Sequence, residues 1–306
     1  MVLSMTAAFA QPQLRPDNID EVLKAMTLEE KASLLVGTSS DNLVPGVAGG
    51  TRAIPRLGIP QTVFSDGPAG VRIDPYRDPA HTVATGFPVG TLLASSWDTD
   101  LMERTTAALG NEVLEYGVDV LLAPGMNIHR NPLNGRNFEY FSEDPVLSGK
   151  MAAAYVRGIQ SNGAGTSIKH YAANNQESNR VENDALVSRR ALREIYLKNF
   201  EIAVKEGHPW TVMSSYNKLN GQYTQQHYDL LTTVLRDEWG YDGIVITDWG
   251  FKDNTVAAVQ AGNDLMDPGA NFEIDRILSG VREGTLSMDV ELPTIVLHVT
   301  TVDIVE

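Results

Sequence analysis

The chain has 306 residues, 42% of them hydrophobic, which suffices for one large α/β domain or two small ones with a sizeable core. Its formal net charge of -15 argues against a nucleic-acid partner, because affinity for nucleic acids depends on cationic contacts to phosphates. The absence of cysteine excludes disulfides, thiolate metal sites and cysteine nucleophiles.

Residues 1–17 are expected to stand apart from the fold as a leader. The first ten are mildly apolar and end in the small-x-small pattern Ala8-Phe9-Ala10, but they lack a basic segment. The segment is therefore either a signal-peptide remnant, which implies a periplasmic or secreted protein, or a flexible leader of a cytoplasmic one. No apolar run approaches the roughly 18 residues of a membrane span.

From residue 18 onward, helical patterns alternate with strand-like runs. The first helix is predicted to begin with Asp20 as its cap, and a capping box of Thr27 and Glu30 opens a second helix that runs to Leu35. A long irregular loop rich in Gly, Pro and Ser follows. Strand-like runs then occur at 62–64, 118–123, 165–168, 210–214, 243–247 and 264–266, and helical patterns at 99–116, 145–162, 188–206, 228–239 and 272–284.

This alternation favours a parallel α/β sheet, and the number of units favours a (β/α)8, TIM-type barrel over an open sheet. Polar motifs stand directly after several strand-like runs, and in a barrel such positions converge on the C-terminal face, where active sites lie. An open doubly wound sheet also collects ligands there, but its usual glycine-rich phosphate turn is absent. We predict a TIM-type barrel over residues 18–289 whose C-terminal end is either regular or else irregular or incomplete.

The most polar stretch of the chain runs from Lys169 to Arg180 and reads KHYAANNQESNR. It directly follows a strand, where a buried polar group without a partner costs about 1–3 kcal/mol. Such a run suits a polyhydroxylated ligand better than a packed core. For Lys169 and His170, a strand-end salt bridge is the alternative interpretation.

A second motif, IVITDWG, delivers Asp248 to the end of an apolar strand. Glycoside cleavage needs one carboxylate near the anomeric carbon, either as nucleophile or as base. Trp249 would then offer an apolar wall to the sugar ring. Alternatively, Asp248 caps a following helix.

Three further motifs carry polar side chains. In FSDGPAGVR, Asp66 is suited to accept hydrogen bonds from vicinal hydroxyls with Arg72 bracing it, or else it forms a turn beside a surface arginine. In the loop GRNFEYFSEDP, Glu139 is expected to pair with an arginine, and Glu143-Asp144 to cap the next helix. In MSSYNKLNG, Tyr216 either offers its hydroxyl to a neighbouring polar group or packs the loop.

Taken together, these motifs closely resemble glycoside hydrolase family 3, which includes many β-glucosidases. The resemblance covers roughly residues 20–290 and includes the patterns D-G-P-x-G-x-R, G-R-x-x-E-x-x-S-E-D-P and M-x-x-Y-N-x-x-N-G. It implies a retaining mechanism in which Asp248 is the nucleophile. It also implies a substrate-binding set made of Asp66, Arg72, Arg136, Lys169, His170, Arg180, Met213, Tyr216 and Trp249.

The general acid/base is unknown on this resemblance. Most two-domain members take it from a second, α/β sandwich domain, whereas single-domain N-acetylglucosaminidases carry an Asp-His pair on a K-H-F-P-G-H-G-type loop. The run from Lys169 is of the two-domain type, so Glu177, Glu139 and Asp267 are candidates by chemistry only. Residues 290–306 depart from the family pattern and favour a strand.

Three hypotheses follow for the function. The first is an exo-acting β-glycosidase that removes terminal β-D-glucosyl residues from a β-glucoside or related oligosaccharide. The second is a non-catalytic sugar-binding barrel. The third is a subunit that receives its acid/base carboxylate from a homodimer partner or from the missing sandwich domain. No cofactor or metal is predicted, because His81, His208, His227 and His298 lie in no metal-like spacing.

Overall fold

The computed structural model describes residues 11–38, 44, 46–74, 83–250 and 254–287. The first ten residues of the predicted leader and the whole predicted tail at 290–306 lie outside the described residues. Within the described ranges, no helix is both long and apolar enough to cross a membrane.

Two short helices open the described chain, α1 (Ile19–Ala25) and α2 (Leu28–Leu34). The predicted cap at Asp20 is wrong. The helix α1 begins at Ile19 with Asn18 at the N-cap position, so Asp20 lies inside its first turn. The capping box before α2 is confirmed. The Glu30 amide donates to Thr27 Oγ1 at 3.2 Å, and the Thr27 amide donates to Glu30 Oε2 at 2.8 Å.

A curved six-stranded sheet forms the centre of the fold. In their order across the sheet, the strands are β1 (Gly49–Gly50), β2 (Val63–Asp66), β3 (Val120–Leu122), β4 (Gly165–Tyr171), β6 (Thr211–Ser214) and β9 (Ile244–Ile246). All neighbours from β2 onward are parallel, whereas β1 pairs antiparallel with β2. A small second sheet joins β5 (Asp184–Ala185), β7 (Lys218–Leu219) and β8 (Gln222–Tyr223).

Helices connect and cover the central strands, which confirms the predicted parallel α/β class. Two helical patterns differ from the prediction, because residues 192–196 and 229–238 adopt π-helical turns. Two short helices at 90–94 and 255–261 were not predicted. The later helices are α3 (Gly90–Ala94), α4 (Thr99–Glu115), α5 (Pro145–Gln160), α6 (Arg189–Ala191), α7 (Lys198–Gly207), α8 (Thr255–Ala261) and α9 (Asn271–Arg282), with single 3₁₀ turns at Pro55–Leu57 and Thr224–Gln226.

The predicted strand at 264–266 contributes isolated bridges and no ladder. Leu265 pairs in parallel with Ile246, Met266 pairs in parallel with Val36, and Thr38 pairs with Gly50 on β1. These contacts run from the β9 edge of the sheet back to its β1 edge. The sheet is therefore curled, and among the described residues only single bridges at the segments 36–38 and 265–266 connect its two edges.

Glycines let the outer helices pack closely against one another. A Cβ atom added at Gly158 on α5 would lie 2.5 Å from the Glu103 carbonyl oxygen of α4. On the other face of α5, a Cβ atom at Gly149 would lie 2.7 Å from Ile202 Cβ of α7. Alanine would normally be the better helix former, so steric contact explains the glycines.

Gly158→Ala should destabilise the protein by about 1–3 kcal/mol, because a backbone oxygen cannot move aside as a flexible side chain can. Gly86→Ala is the matched control, since a Cβ atom there meets no atom within 4 Å. Urea unfolding of both variants tests the packing. An equal stability of Gly158→Ala and the parent chain would contradict it.

Candidate active site

The predicted site residues gather at one edge of the central sheet. Asp66 is the last residue of β2, Lys169 and His170 lie near the C-terminal end of β4, and Asp248 follows β9 by two residues. Because these strands are parallel, their C-terminal ends meet at this edge. Residues far apart in the chain thus form one cluster of charged side chains.

The carboxyl group of Asp248 is buried, with 6% of the residue exposed. Its Oδ1 accepts a hydrogen bond from the Trp249 amide at 2.7 Å. Its Oδ2 has no hydrogen-bond partner within the described residues. Asp248 caps no described helix, because the helix after it, α8, begins at Thr255 with Asn254 as its cap. The cap interpretation is therefore wrong, and one carboxylate oxygen is left available for other chemistry.

Burial raises the pKa of Asp248 to about 6, in spite of opposing contributions. The Trp249 hydrogen bond and the positive charges of Lys169, Arg136 and Arg180 all lower that pKa. The group is therefore mostly ionised at pH 7 although it is removed from water. Such a balance of burial and charge is common at functional sites.

His170 lies beside Asp248 but does not hydrogen-bond to it, because Nε2 and Asp248 Oδ2 are 3.8 Å apart. On the other side of the ring, Nδ1 lies 3.2 Å from Asn127 Oδ1 and 3.3 Å from the Tyr140 hydroxyl. Burial and the nearby cations Arg136, Lys169 and Arg180 lower the pKa of His170 well below its usual value. The ring is therefore neutral and fixed in orientation.

Asp66 links two cations at the edge of the cluster. Its Oδ2 accepts from Arg72 Nη1 at 3.2 Å, and its Oδ1 lies 3.5 Å from Lys169 Nζ. The strand-end ion pair considered for Lys169 is therefore present. The Asp66 side chain remains 37% exposed, so it is open to a ligand, whereas that of Lys169 is almost fully buried.

Two arginines complete the cluster, each held by a glutamate. Arg136 pairs with Glu139, as predicted for that glutamate. Arg180 Nη1 donates to Glu177 Oε2 at 3.1 Å and its guanidinium lies 4.5 Å from the centre of the Tyr216 ring. Burial, and next the charge of Asp248, raise the pKa of Tyr216, so its hydroxyl keeps its proton.

Met213 lies in the apolar core cluster of the central strands, and Trp249 is partly buried against that cluster. Met213 is 1% exposed and packs with Phe64, Ile246 and other strand residues, and the Trp249 ring packs against the same cluster. The indole Nε1 donates to the Ala48 carbonyl at 3.3 Å. Met213 thus lies beneath the charged cluster and does not form part of it.

The acid/base candidates differ in their surroundings. Glu139 and Glu177 are each bound to an arginine, and Glu177 also accepts from Asn174 Nδ2 at 3.3 Å. Asp267 is 1% exposed, and neither of its carboxyl oxygens has a hydrogen-bond partner within the described residues. Burial, with the charge of Glu273, raises the pKa of Asp267 well above its usual value. Burial therefore favours the protonated form of Asp267, and its carboxyl group is packed against Gly37 and Gly49.

Asn127 and Tyr140 are site residues that the sequence did not indicate. Asn127 Oδ1 accepts a hydrogen bond from the His170 amide at 2.9 Å, and Asn127 Nδ2 donates one to the His170 carbonyl at 2.8 Å. The sequence around these two residues indicates only a loop. Their shared partner, His170, lies 43 residues from Asn127 and 30 residues from Tyr140, so no local pattern reveals the contact. Across the described ranges, no group of three or more His, Asp or Glu side chains is arranged to hold a metal ion.

A parallel α/β sheet that carries charged residues at the C-terminal ends of its strands is the arrangement of a barrel enzyme, and sequence comparison identifies the family. Residues 56–302 match the family described as "Glycosyl hydrolase family 3 N terminal domain". The chain belongs to glycoside hydrolase family 3.

Several relatives are similar over most of this chain. Thermostable beta-glucosidase B of Acetivibrio thermocellus is 46% identical over 281 residues, and an exo-alpha-(1->6)-L-arabinopyranosidase of Bifidobacterium longum is 45% identical over 271 residues. These matches cover 89% and 87% of this chain but 36% and 35% of the relatives. The chain thus spans little more than a third of their length.

Solved structures give the same result. Beta-glucosidase 3B from Thermotoga neapolitana in complex with glucose is 51% identical and superposes with a TM-score of 0.88. That alignment covers 94% of this chain and 42% of the other. Family membership therefore rests on both sequence and fold.

Lys169→Met should raise the pKa of Asp248 above its value of about 6, because it removes a cation that favours the carboxylate. Lys150→Met is the control, since Lys150 pairs with Glu206 on the helical surface. Carbon-13 titration of the aspartate carboxyl signals, assigned with Asp248→Asn, measures the shift without requiring turnover. An unchanged titration of Asp248 in Lys169→Met would show that the two groups are not coupled.

Proposed function

We propose that this chain forms the catalytic barrel of a glycoside hydrolase that removes terminal, non-reducing β-D-glucosyl residues with retention of configuration. The observation that carries the proposal is the Asp248 carboxylate, which is buried, ionised at neutral pH and has one oxygen without a partner among the described residues. A nucleophilic carboxylate needs these properties together.

In this proposal, Asp248 Oδ2 attacks the anomeric carbon while the bond from that carbon to the leaving oxygen breaks. The leaving oxygen takes a proton from the unassigned acid/base group or, for an activated leaving group, from solvent. Water then attacks the same carbon and gives up a proton to that group or to solvent. The bond from the carbon to Asp248 Oδ2 breaks, which releases the sugar and the Asp248 carboxylate. The cations Lys169, Arg136 and Arg180 keep Asp248 ionised before the attack. Neutral His170 and the Tyr216 hydroxyl are placed to hydrogen-bond sugar hydroxyls or the carboxylate, since both lie beside it.

Sugar recognition is proposed for the remaining members of the cluster. Asp66 accepts hydrogen bonds from adjacent hydroxyls while Arg72 and Lys169 hold it in place. Trp249 supports the apolar face of the ring, since its side chain packs against the apolar cluster but is only partly buried. The glucose named in the Thermotoga structure supports a hexose as the substrate, whereas the arabinopyranosidase shows that the family accepts other pyranoses.

The proposed domain is a single barrel over residues 18–289. Isolated bridges at Thr38, Val36, Met266 and Leu265 join the two edges of the six-stranded sheet. If the segments at 36–38 and 265–266 are counted as strand positions, the ring has eight members. This is the number of strands in a TIM-type barrel, with the difference that β1 runs antiparallel to its neighbours.

A second candidate is a catalytic subunit whose acid/base carboxylate comes from another chain or domain. It is favoured by the surroundings of the three internal candidates, since Glu139 and Glu177 are bound to arginines and Asp267 is buried behind glycines. A leaving group that departs without protonation removes the need for this carboxylate. The choice of glycoside therefore separates the two candidates.

The chain should hydrolyse 2,4-dinitrophenyl β-D-glucoside far faster than methyl β-D-glucoside, because only the second needs a proton donor. Asp248→Asn should lower the aryl-glucoside rate on the order of 10³-fold or more, as loss of a nucleophile does. Asp242→Asn is the control, because Asp242 is exposed and precedes the same strand, β9.

Three outcomes separate the candidates in that assay. Retained hydrolysis in Asp248→Asn would contradict the role of Asp248. Binding of glucose without turnover of either glycoside would favour the non-catalytic barrel. Methyl-glucoside turnover that rises more than linearly with protein concentration would favour a carboxylate supplied by a second copy.

A further inference from the structure

Three buried groups surround the imidazole of His170 and decide which of its two nitrogens carries the proton. A neutral imidazole has one N–H donor and one bare nitrogen that accepts, so the two tautomers differ in what the ring can do. Nε2 faces Asp248 Oδ2 at 3.8 Å, whereas Nδ1 faces Asn127 Oδ1 at 3.2 Å and the Tyr140 hydroxyl at 3.3 Å. The position of the proton follows from which of the neighbours of Nδ1 can only accept.

Two backbone contacts fix the orientation of the Asn127 amide. Its Nδ2 lies 2.8 Å from the His170 carbonyl, which can only accept, and its Oδ1 lies 2.9 Å from the His170 amide, which can only donate. Turning the side chain over would set donor against donor and acceptor against acceptor. Asn127 Oδ1 is therefore the atom that meets Nδ1, and an amide oxygen has no proton to give. Because two lone pairs would repel each other at 3.2 Å, Nδ1 carries the ring proton.

The Tyr140 hydroxyl can adapt to this assignment, because a hydroxyl rotates and either donates or accepts. With the proton on Nδ1, the Tyr140 oxygen accepts, and it also lies 3.4 Å from a second donor, Asn174 Nδ2. The hydroxyl proton then points away from the ring. The partner of fixed polarity, Asn127, thus decides the tautomer, and the adaptable partner follows.

This assignment leaves Nε2 without a proton on the side that faces Asp248. A protonated Nε2 beside a buried, ionised carboxylate would form a charge-assisted hydrogen bond of about 2.7–2.9 Å. The separation of 3.8 Å lies well beyond that range. A bare Nε2 offers Asp248 Oδ2 nothing to accept, which agrees with the lack of a hydrogen-bond partner for this oxygen within the described residues.

We propose that Asn127 is a positioning residue, which holds the proton of His170 on Nδ1 and thereby keeps Asp248 Oδ2 free of a hydrogen bond from the ring. The proposal rests on the proposed function, since it concerns the oxygen that would attack the sugar. A hydrogen bond to a carboxylate stabilises its charged form, and this stabilisation would be lost when Oδ2 bonds to carbon. The ring can then accept from a sugar hydroxyl but cannot donate to the carboxylate.

Nitrogen-15 spectra of the histidine rings in the full chain at pH 7 test this assignment. Protonated and bare ring nitrogens differ clearly in chemical shift, and His170→Gln identifies the signals of this ring. We expect the proton on Nδ1 in the parent chain and in Tyr140→Phe, the matched variant that removes the other neighbour of Nδ1. In Asn127→Leu we expect the proton on Nε2, because the Tyr140 hydroxyl remains beside Nδ1 and can donate to it.

The same change should be visible at the carboxylate. In Asn127→Leu the Nε2 proton would be donated to Asp248 Oδ2, so the pKa of Asp248 should fall below its value of about 6. Labelling of Asp248 by a 2-deoxy-2-fluoro glucoside should slow about tenfold or more. Asn111→Leu, an exposed position on α4, is the control for both measurements. The other groups that face the carboxylate are the same in these variants: the Trp249 amide, Lys169, Arg136, Arg180 and Tyr216.

The ring spectrum decides between this account and a merely structural role of Asn127. A site that only took up water would also lower the pKa of Asp248, but it would not move the proton to Nε2. A proton on Nε2 of the parent chain would overturn the proposal, and this measurement needs no variant to fold. So would a proton that stays on Nδ1 in folded Asn127→Leu. Neither spectrum requires turnover, so a chain that hydrolyses no glucoside would contradict the proposed function alone.

Discussion

The site depends on one electrostatic balance, the ionised carboxylate of Asp248 held in a buried position. Burial alone would drive this group toward its protonated form. The Trp249 amide and the positive charges of Lys169, Arg136 and Arg180 oppose it and keep the pKa near 6. Neutral His170, fixed by groups on neighbouring loops, adds no charge to this balance.

The fold supplies that balance through the direction of its strands. Parallel strands bring residues 66, 169, 170 and 248 to one edge, although about 180 positions separate the first from the last. Arginines from two loops then reach the cluster and are held by glutamates of their own loops. In the proposed function, loop residues around this edge would select the sugar, and relatives named as a beta-glucosidase and as an exo-alpha-(1->6)-L-arabinopyranosidase share the sequence.

Local patterns predicted much of this arrangement. Apolar runs located the parallel strands β2, β3, β4, β6 and β9, whereas β1 lies in the segment predicted to be an irregular loop. Cap chemistry located α2 and α5, where Asp144 accepts from the amides of Val146 and Leu147. The apolar run at 264–266 predicts a regular strand, but in the structure it forms only isolated bridges to Ile246 and Val36. The roles of Asn127 and Tyr140 were missed, since hydrogen bonds to a distant histidine leave no local signal. Asp267 was recognised as a carboxylate, but its burial depends on packing against glycines that no pattern reveals.

The most direct test of the central role of Asp248 is covalent trapping. Incubation with 2,4-dinitrophenyl 2-deoxy-2-fluoro-β-D-glucoside should leave one fluoroglucosyl group on the chain, because the leaving group needs no proton and the fluorine slows release. Peptide mass mapping should place the added mass on the peptide that contains Asp248. Labelling of another carboxylate, or no labelling by this glucoside and its xylo and arabino counterparts, would contradict the account.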